Sequence, residues 1–125
     1  MVTHLTDRVL EVGKELVLHM DAKSTTITSA FWLFSSSSGA WKLIFASPQL
    51  RRRGPRPLYQ IVQSKLLKYN DRPLSLSDVI FVDDRSELVV SLKHAISTGK
   101  NIAGVRFSNN YIGGILFEDL YVYRS

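Results

Sequence analysis

Apolar residues recur at steps of three and four from residue 5 to residue 20, and polar residues fill the other side. This spacing is typical of an amphipathic helix. Thr6 is placed to cap the N-terminus, and Asp7 falls in the first turn, where the helix dipole favours an anion. Gly13 lies inside the apolar stripe, at a cost of ~1 kcal/mol relative to alanine, which indicates close approach by a neighbouring element. The pattern predicts a helix over residues 6–20.

Two runs of β-branched and aromatic residues follow at 25–34 and 41–47, joined by a short link of serines, glycine and alanine. Such a link fits the loop of a β-hairpin, so we predict a first hairpin over residues 26–47. The next segment, residues 48–57, contains three prolines, one glycine and four arginines. Because proline removes a backbone donor and disfavours helix in the residue before it, we predict an extended, exposed loop there.

Helical spacing returns after Pro57, which suits the first turn of a helix because an N–H has no helical partner there. The apolar stripe of this second helix ends near Asn70. The apolar run 79–84 then predicts a short buried strand. Ser86 is placed to cap a third helix, and Gly99 supplies a stop signal at its C-terminus.

The last segment, residues 102–124, has two apolar runs around Asn109 and Asn110. Asparagine tolerates positive φ, so we predict a second hairpin that reverses there. The second run is apolar on both faces, which predicts an interior strand rather than a solvated edge. Gly113 and Gly114 fall within that run, where a bulge or a close backbone contact is expected.

These elements give the order α-β-β-α-β-α-β-β. Helices placed singly between hairpins do not make the strict alternation of a doubly wound sheet. We therefore predict one α+β domain over residues 1–125, with a mixed five-stranded sheet and three helices mainly on one face. Several strand orders satisfy the same pattern, so the order within the sheet stays open.

The chain contains no cysteine, which excludes a disulfide framework and any thiolate metal site or nucleophile. No apolar run approaches the ~20 residues of a membrane-spanning helix. The N-terminal residues lack the basic, apolar and small-residue regions of a signal peptide. We expect a cytoplasmic protein with no membrane partner.

The formal net charge of +5 is unevenly distributed. Residues 42–72 carry a net charge of +7, from eight basic residues against Asp71, whereas the parts before and after are each −1. We predict an anion-binding or partner-binding patch from seven of the basic residues: Arg51, Arg52, Arg53, Arg56, Lys65, Lys68 and Arg72. Binding to phosphates would weaken steeply with salt. The patch could serve nucleic acid or an acidic protein, or it could be a solvated loop whose arginines contact only water.

Large aromatic side chains lie on both faces of the first hairpin, because alternation along the strand puts Trp32 and Phe34 opposite Phe31. If helices pack on only one face of the sheet, the aromatic side chains on the other face remain uncovered. We predict that a protein partner or a second copy covers five aromatic residues: Trp32, Phe34, Trp41, Tyr121 and Tyr123. The alternative is that helices cover both faces of the sheet.

Asp83, Asp84 and Glu118 are weak candidates for a divalent-cation site of the kind that supports phosphodiester hydrolysis. Asp78 could add a fourth carboxylate. Neighbouring strand residues point to opposite faces, so Glu118 and Asp119 cannot both join one cluster unless a bulge intervenes. No serine elbow or phosphate-binding glycine loop occurs in the sequence. We therefore predict no catalytic residue, no metal and no cofactor.

The C-terminal part carries a set of short motifs: Leu76-Ser77-Asp78, Ala95-Ile96-Ser97-Thr98-Gly99, Val105-Arg106-Phe107, Phe117-Glu118-Asp119 and Tyr121-Val122-Tyr123-Arg124. In these motifs the chain resembles a family of small uncharacterised bacterial proteins, over most of its length. The resemblance implies a stand-alone bacterial domain. It implies no activity, cofactor or site residue.

Together, these features favour a non-enzymatic binding module with a basic segment for an anionic partner and an aromatic sheet face for a protein or a second copy. A nucleic-acid-binding protein that uses the same arginines is the alternative. A metal-dependent nuclease is the third hypothesis.

Overall fold

The computed structural model describes residues 1–99 and 101–125, and five strands within them form one mixed sheet. The strands are β1 (Ser29–Ser35), β2 (Ala40–Ala46), β3 (Val79–Val82), β4 (Val105–Ile112) and β5 (Ile115–Arg124). The α-helices are α1 (Asp7–Ala22), α2 (Gln49–Arg53), α3 (Arg56–Leu66) and α4 (Glu87–Ala95). A short 3-10 turn, Leu76–Asp78, leads into β3. The predicted single α+β domain and its element order are confirmed, with α2 as an additional helix.

The strands lie in the order β3-β2-β1-β5-β4. β2 and β3 run parallel and are joined by a crossover through α2 and α3, and the other neighbours are antiparallel. β5 lies between β1 and β4, so the prediction of an interior strand is confirmed for the second run of the C-terminal hairpin. β4 and β3 form the two edges. The prediction of a buried strand at 79–84 is therefore wrong for part of that run, since Ile80 is exposed at one edge.

Helices cover both faces of the sheet, three on one face and one on the other. α1 and α3 pack on the face that carries Trp32 and Leu43, and Leu50 of α2 contacts the same core. α4 packs on the opposite face through Leu92, next to Phe31. The prediction that helices lie mainly on one face is confirmed. The coverage by α4 also removes the need for a partner on the second face.

Local chemistry explains how α1 begins and how closely it approaches the sheet. The hydroxyl of Thr6 accepts a hydrogen bond from the N–H of Val9 at 3.2 Å, which confirms the predicted cap. Gly13 faces the sheet, where a Cβ added to it would lie 2.2 Å from the hydroxyl oxygen of Tyr123. The close approach that Gly13 indicated is therefore with β5.

The C-terminal hairpin reverses at Gly113 and Gly114, so the predicted reversal at Asn109 and Asn110 is wrong. Ile112 pairs with Ile115 across a two-residue turn, and both glycines have positive φ, 58° and 81°. Two consecutive left-handed residues match the twist of a hairpin, and glycine enters that region more readily than asparagine does.

Asn109 nevertheless has a positive φ, 50°, in the middle of β4. Before it, Phe107 pairs with Leu120, and both side chains face α4. Beyond it, Ile112 and Phe117 also face α4, although strict alternation would put them on the other face. The ribbon therefore changes face at Asn109, and this change lets its tip pack against α4.

Alanine substitutions at the turn test this packing. Either glycine should resist alanine, because a left-handed conformation costs a side-chain-bearing residue about 1–2 kcal/mol. At Gly113 the new Cβ would also lie 2.7 Å from Oγ of Ser91 on α4, whereas nothing lies within 4 Å at Gly114. We expect Gly113→Ala to lower the free energy of unfolding by about 1 kcal/mol more than Gly114→Ala, measured by urea denaturation. Equal losses would contradict the contact with α4.

Candidate anion-binding surface

The basic segment is helical, which contradicts the prediction of an extended loop over residues 48–57. Pro48 caps the start of α2, and Pro55 caps the start of α3, positions at which proline removes no helical hydrogen bond. Ser47 contributes by accepting the N–H of Gln49 on its hydroxyl at 3.2 Å. Gly54 then ends α2 with a positive φ of 73°. The prolines and the glycine therefore mark the boundaries of two helices.

Arg51 attaches α2 to the end of β3. Its Nη1 group donates to the carboxylates of both Asp83 and Asp84, and the three side chains are each about one-quarter to one-third exposed. The N–H of Arg85 donates to Asp83 at 2.8 Å, and this bond together with Arg51 holds the pKa of Asp83 below its usual range. The contact forms because β2 and β3 are parallel, which brings their carboxyl ends to one edge of the sheet. Arg51 is therefore part of the scaffold.

The remaining arginines of the segment are available to a ligand. Arg52, Arg53 and Arg56 are exposed, and none of them makes a salt bridge or a side-chain hydrogen bond with a residue in the described ranges. Arg85 is also exposed and follows the two carboxylates directly. We call Arg51, Arg52, Arg53, Arg56 and Arg85 the arginine corner. Sequence reasoning missed Arg85, because only the spatial pairing of Arg51 with Asp83 connects the two segments.

The structure divides the seven predicted anion-binding residues into two groups. Arg51, Arg52 and Arg53 lie on α2 and Arg56 begins α3, whereas Lys65, Lys68 and Arg72 lie at or beyond the end of α3. The rise along an α-helix places Arg56 and Lys65 about 14 Å apart. Lys65 also lies over the ring of Tyr69, 5.4 Å from its centroid. The two groups cannot act as one compact patch.

The second group has a different neighbour, the half-buried His19 on α1. Burial, followed by the charges of Lys23, Lys65 and Lys68, lowers the pKa of His19 from its usual value of 6.5. Nε2 of His19 is buried and has no hydrogen-bond partner among the described residues. Burial and the neighbouring lysines therefore both favour the neutral form of the imidazole.

The lowered pKa of His19 predicts a pH dependence of stability. The folded chain binds fewer protons here than the unfolded chain, so the stabilisation is present above about pH 6.5 and is lost as the pH falls toward the folded pKa. We expect the urea midpoint to fall between pH 7.5 and pH 5.5, and we expect His19→Gln to reduce that fall. His94→Gln, at an exposed site on α4, is the matched control. An identical pH response in the wild type and His19→Gln would show that His19 is not the group responsible.

The five aromatic residues predicted as an interface lie on one face of the sheet, the face on which α1 and α3 pack. Trp32, Trp41 and Tyr123 are buried, and Phe34 and Tyr121 are partly buried against the same core. The indole N–H of Trp32 donates to the hydroxyl of Tyr123 at 2.9 Å, and that hydroxyl donates to the carbonyl of Leu10 at 2.7 Å. The interface prediction is wrong for the three buried residues, because helices cover this face.

The candidate metal ligands do not converge. Asp83 and Asp84 contact Arg51 at one edge of the sheet, whereas Glu118 accepts the N–H of Ser36 at 3.1 Å on the far side of β1. Three strand spacings separate β3 from β5, about 14 Å. Among the residues that the structure describes, no group of three or more potential ligands could hold a metal ion. This geometry does not support the nuclease hypothesis.

No helix in residues 1–99 or 101–125 combines the length and the apolar character needed to cross a membrane. Comparison with protein-family models, with curated proteins and with solved structures finds no match to this chain. The resemblance to small bacterial proteins stays a prediction.

Proposed function

We propose that this protein binds nucleic acid through contacts between the arginine corner and the phosphate backbone. The observation that carries the proposal is the group of exposed arginines without ion-pair partners in the described chain, Arg52, Arg53 and Arg56. The guanidinium group presents donors in a planar fork that matches phosphate oxygens. Arg51 ties the short helix to β3, so these arginines are presented from an ordered element.

The chemistry of the surrounding surface supports nucleic acid over a protein partner. Protein interfaces have an apolar and aromatic centre, whereas nucleic-acid interfaces are more polar and strongly positive. None of the exposed large hydrophobic residues of the described chain lies on α2 or α3, the helices that carry four of the five arginines. Of the five aromatic residues predicted as an interface, Trp32, Trp41 and Tyr123 are buried in the core, and Phe34 and Tyr121 are partly buried against it. We therefore prefer the alternative hypothesis, a nucleic-acid-binding protein, to the leading sequence-based hypothesis of a protein-interaction module.

Recognition at the corner should be independent of sequence. Phosphate contacts position a protein on nucleic acid, but only contacts with the bases specify a sequence. Tyr59, the aromatic residue on α3, accepts the backbone N–H of Phe81 in β3 on its hydroxyl and packs edge-on against the Phe81 ring. The Tyr59 ring therefore does not offer a face on which a base could stack.

Fluorescence anisotropy with a labelled duplex of random sequence tests the proposal. At low salt we expect saturable binding with a Kd on the order of micromolar, which is typical of backbone contacts. A labelled poly-glutamate peptide of equal charge is the comparison. No anisotropy change with the duplex would overturn the proposal, and equal affinity for the peptide would assign the corner to an acidic protein.

A further inference from the structure

A second candidate site lies at the other end of β3 from the arginine corner. A cavity of about 650 Å³ opens between the end of α3 and the segment that leads into β3. Leu66 and Leu74 line it with apolar surface, and Asp78 contributes a carboxylate. The volume lies within the range of about 300–1,000 Å³ that small-molecule sites occupy.

The carboxylate of Asp78 is buried but only half satisfied. Its side chain is 1% exposed. Oδ2 accepts hydrogen bonds from the N–H of Ser75 at 2.8 Å and from its hydroxyl at 3.1 Å. Oδ1 accepts no hydrogen bond in the described chain, but it forms an ion pair at 3.7 Å with the N-terminal ammonium of Met1, which also lines the cavity. Because 3.7 Å is longer than a hydrogen bond, this oxygen still has the capacity to accept a hydrogen bond from a ligand.

We propose that this cavity binds a small molecule that carries a primary ammonium group on a short apolar body. The ammonium would donate to Oδ1 of Asp78, and the apolar body would contact Leu66 and Leu74. An ammonium suits the site because it combines a positive charge with several donors in a small volume. The N-terminal ammonium of Met1 already pairs with Oδ1 at 3.7 Å, and the ligand would take its place with a shorter contact. A metal ion does not suit the site, because the described residues offer no second or third acidic or imidazole ligand here.

This site and the arginine corner are independent of each other. Asp78 precedes β3 and Asp83 follows it, so five residue steps along the strand separate them by about 16 Å. The two sites also select opposite charges. A failure of nucleic-acid binding would therefore leave the ammonium site unaffected, and the converse also holds.

A pair of probes with the same apolar body tests the proposal on the unchanged protein. Isopentylamine carries an ammonium at neutral pH, whereas isopentanol replaces that group with a neutral hydroxyl. We expect isopentylamine to shift the amide resonances of Leu74 and Leu76 saturably in ¹H–¹⁵N spectra. We expect isopentanol to bind at least about tenfold more weakly, because it lacks the charge that strengthens a hydrogen bond to a carboxylate.

Two variants locate the interaction. Asp78→Asn keeps the side-chain shape and removes the charge, so the response to isopentylamine should fall to that of isopentanol. Asp71→Asn, at an exposed carboxylate paired with Arg8, is the control and should leave the response unchanged. Equal binding of the two probes, or an unchanged response in folded Asp78→Asn, would overturn the proposal. If Asp78→Asn does not fold, the comparison of isopentylamine with isopentanol on the wild type still tests whether the site prefers an ammonium group.

Discussion

Replacing Gly13 with alanine lowers the free energy of unfolding by about 1–3 kcal/mol, the usual range for an overpacked core. The new Cβ would lie 2.2 Å from the hydroxyl oxygen of Tyr123, 2.9 Å from its Cζ and 3.0 Å from Nε1 of Trp32. Tyr123 cannot move away freely, because its hydroxyl bonds both to Trp32 and to the carbonyl of Leu10. At an exposed helical position the same substitution would raise stability by about 1 kcal/mol. The sign of the change, read from urea denaturation, therefore separates packing from helix propensity.

A double-mutant cycle tests whether the Tyr123 hydroxyl is the obstacle. Tyr123→Phe removes the atom nearest to the new Cβ and leaves Cζ, so we expect Gly13→Ala to destabilise this background less than it destabilises the wild type. Some destabilisation should remain, because Cζ of residue 123 and Nε1 of Trp32 would still lie within about 3 Å of the new Cβ. The same loss in both backgrounds, or a gain of stability in the wild type, would contradict the contact between α1 and β5.

Replacing Arg52, Arg53 and Arg56 together with glutamine weakens binding to a random-sequence duplex by at least about tenfold at 0.1 M salt. Each glutamine keeps a good helix-forming side chain and removes one phosphate contact. The three arginines have no ion-pair partner in the described chain, so the melting temperature should change little.

The matched control removes three positive charges at the other end of α3, through Lys65→Gln, Lys68→Gln and Arg72→Gln. These residues begin about 14 Å from Arg56 along the helix, which exceeds the screening length of about 10 Å at 0.1 M salt. We expect the control to weaken binding less than about threefold. Equal losses in the two triple variants would indicate that net charge, rather than the arginine corner, determines the affinity.

Local patterns predicted the elements whose signals lie within one segment. The apolar spacing and the Thr6 cap predicted α1, and the β-branched runs predicted the first hairpin. Two errors could have been avoided from the same sequence. Two glycines in a row are a stronger signal for a two-residue hairpin turn than Asn109-Asn110, and Pro48 and Pro55 stand where prolines begin helices.

Other features depend on contacts between distant segments, and no local pattern contains them. The burial of Trp32 depends on α1 covering that face of the sheet, and the composition of a strand does not reveal which helix covers it. The pairing of Arg51 with Asp83 depends on β2 and β3 being parallel neighbours, and the strand order could not be derived from the sequence. The Asp78 oxygen that accepts no hydrogen bond likewise could not be identified until the 3-10 turn was placed beside α3.

The salt dependence of duplex binding tests the central claim most directly. If Arg52, Arg53 and Arg56 each neutralise a phosphate, log K plotted against log salt should have a slope that is about 2–3 units less steep in their triple glutamine variant than in the wild type. The variant with Lys65, Lys68 and Arg72 replaced should keep the wild-type slope. Identical slopes for the wild type and the arginine variant would contradict the assignment of phosphate binding to the arginine corner.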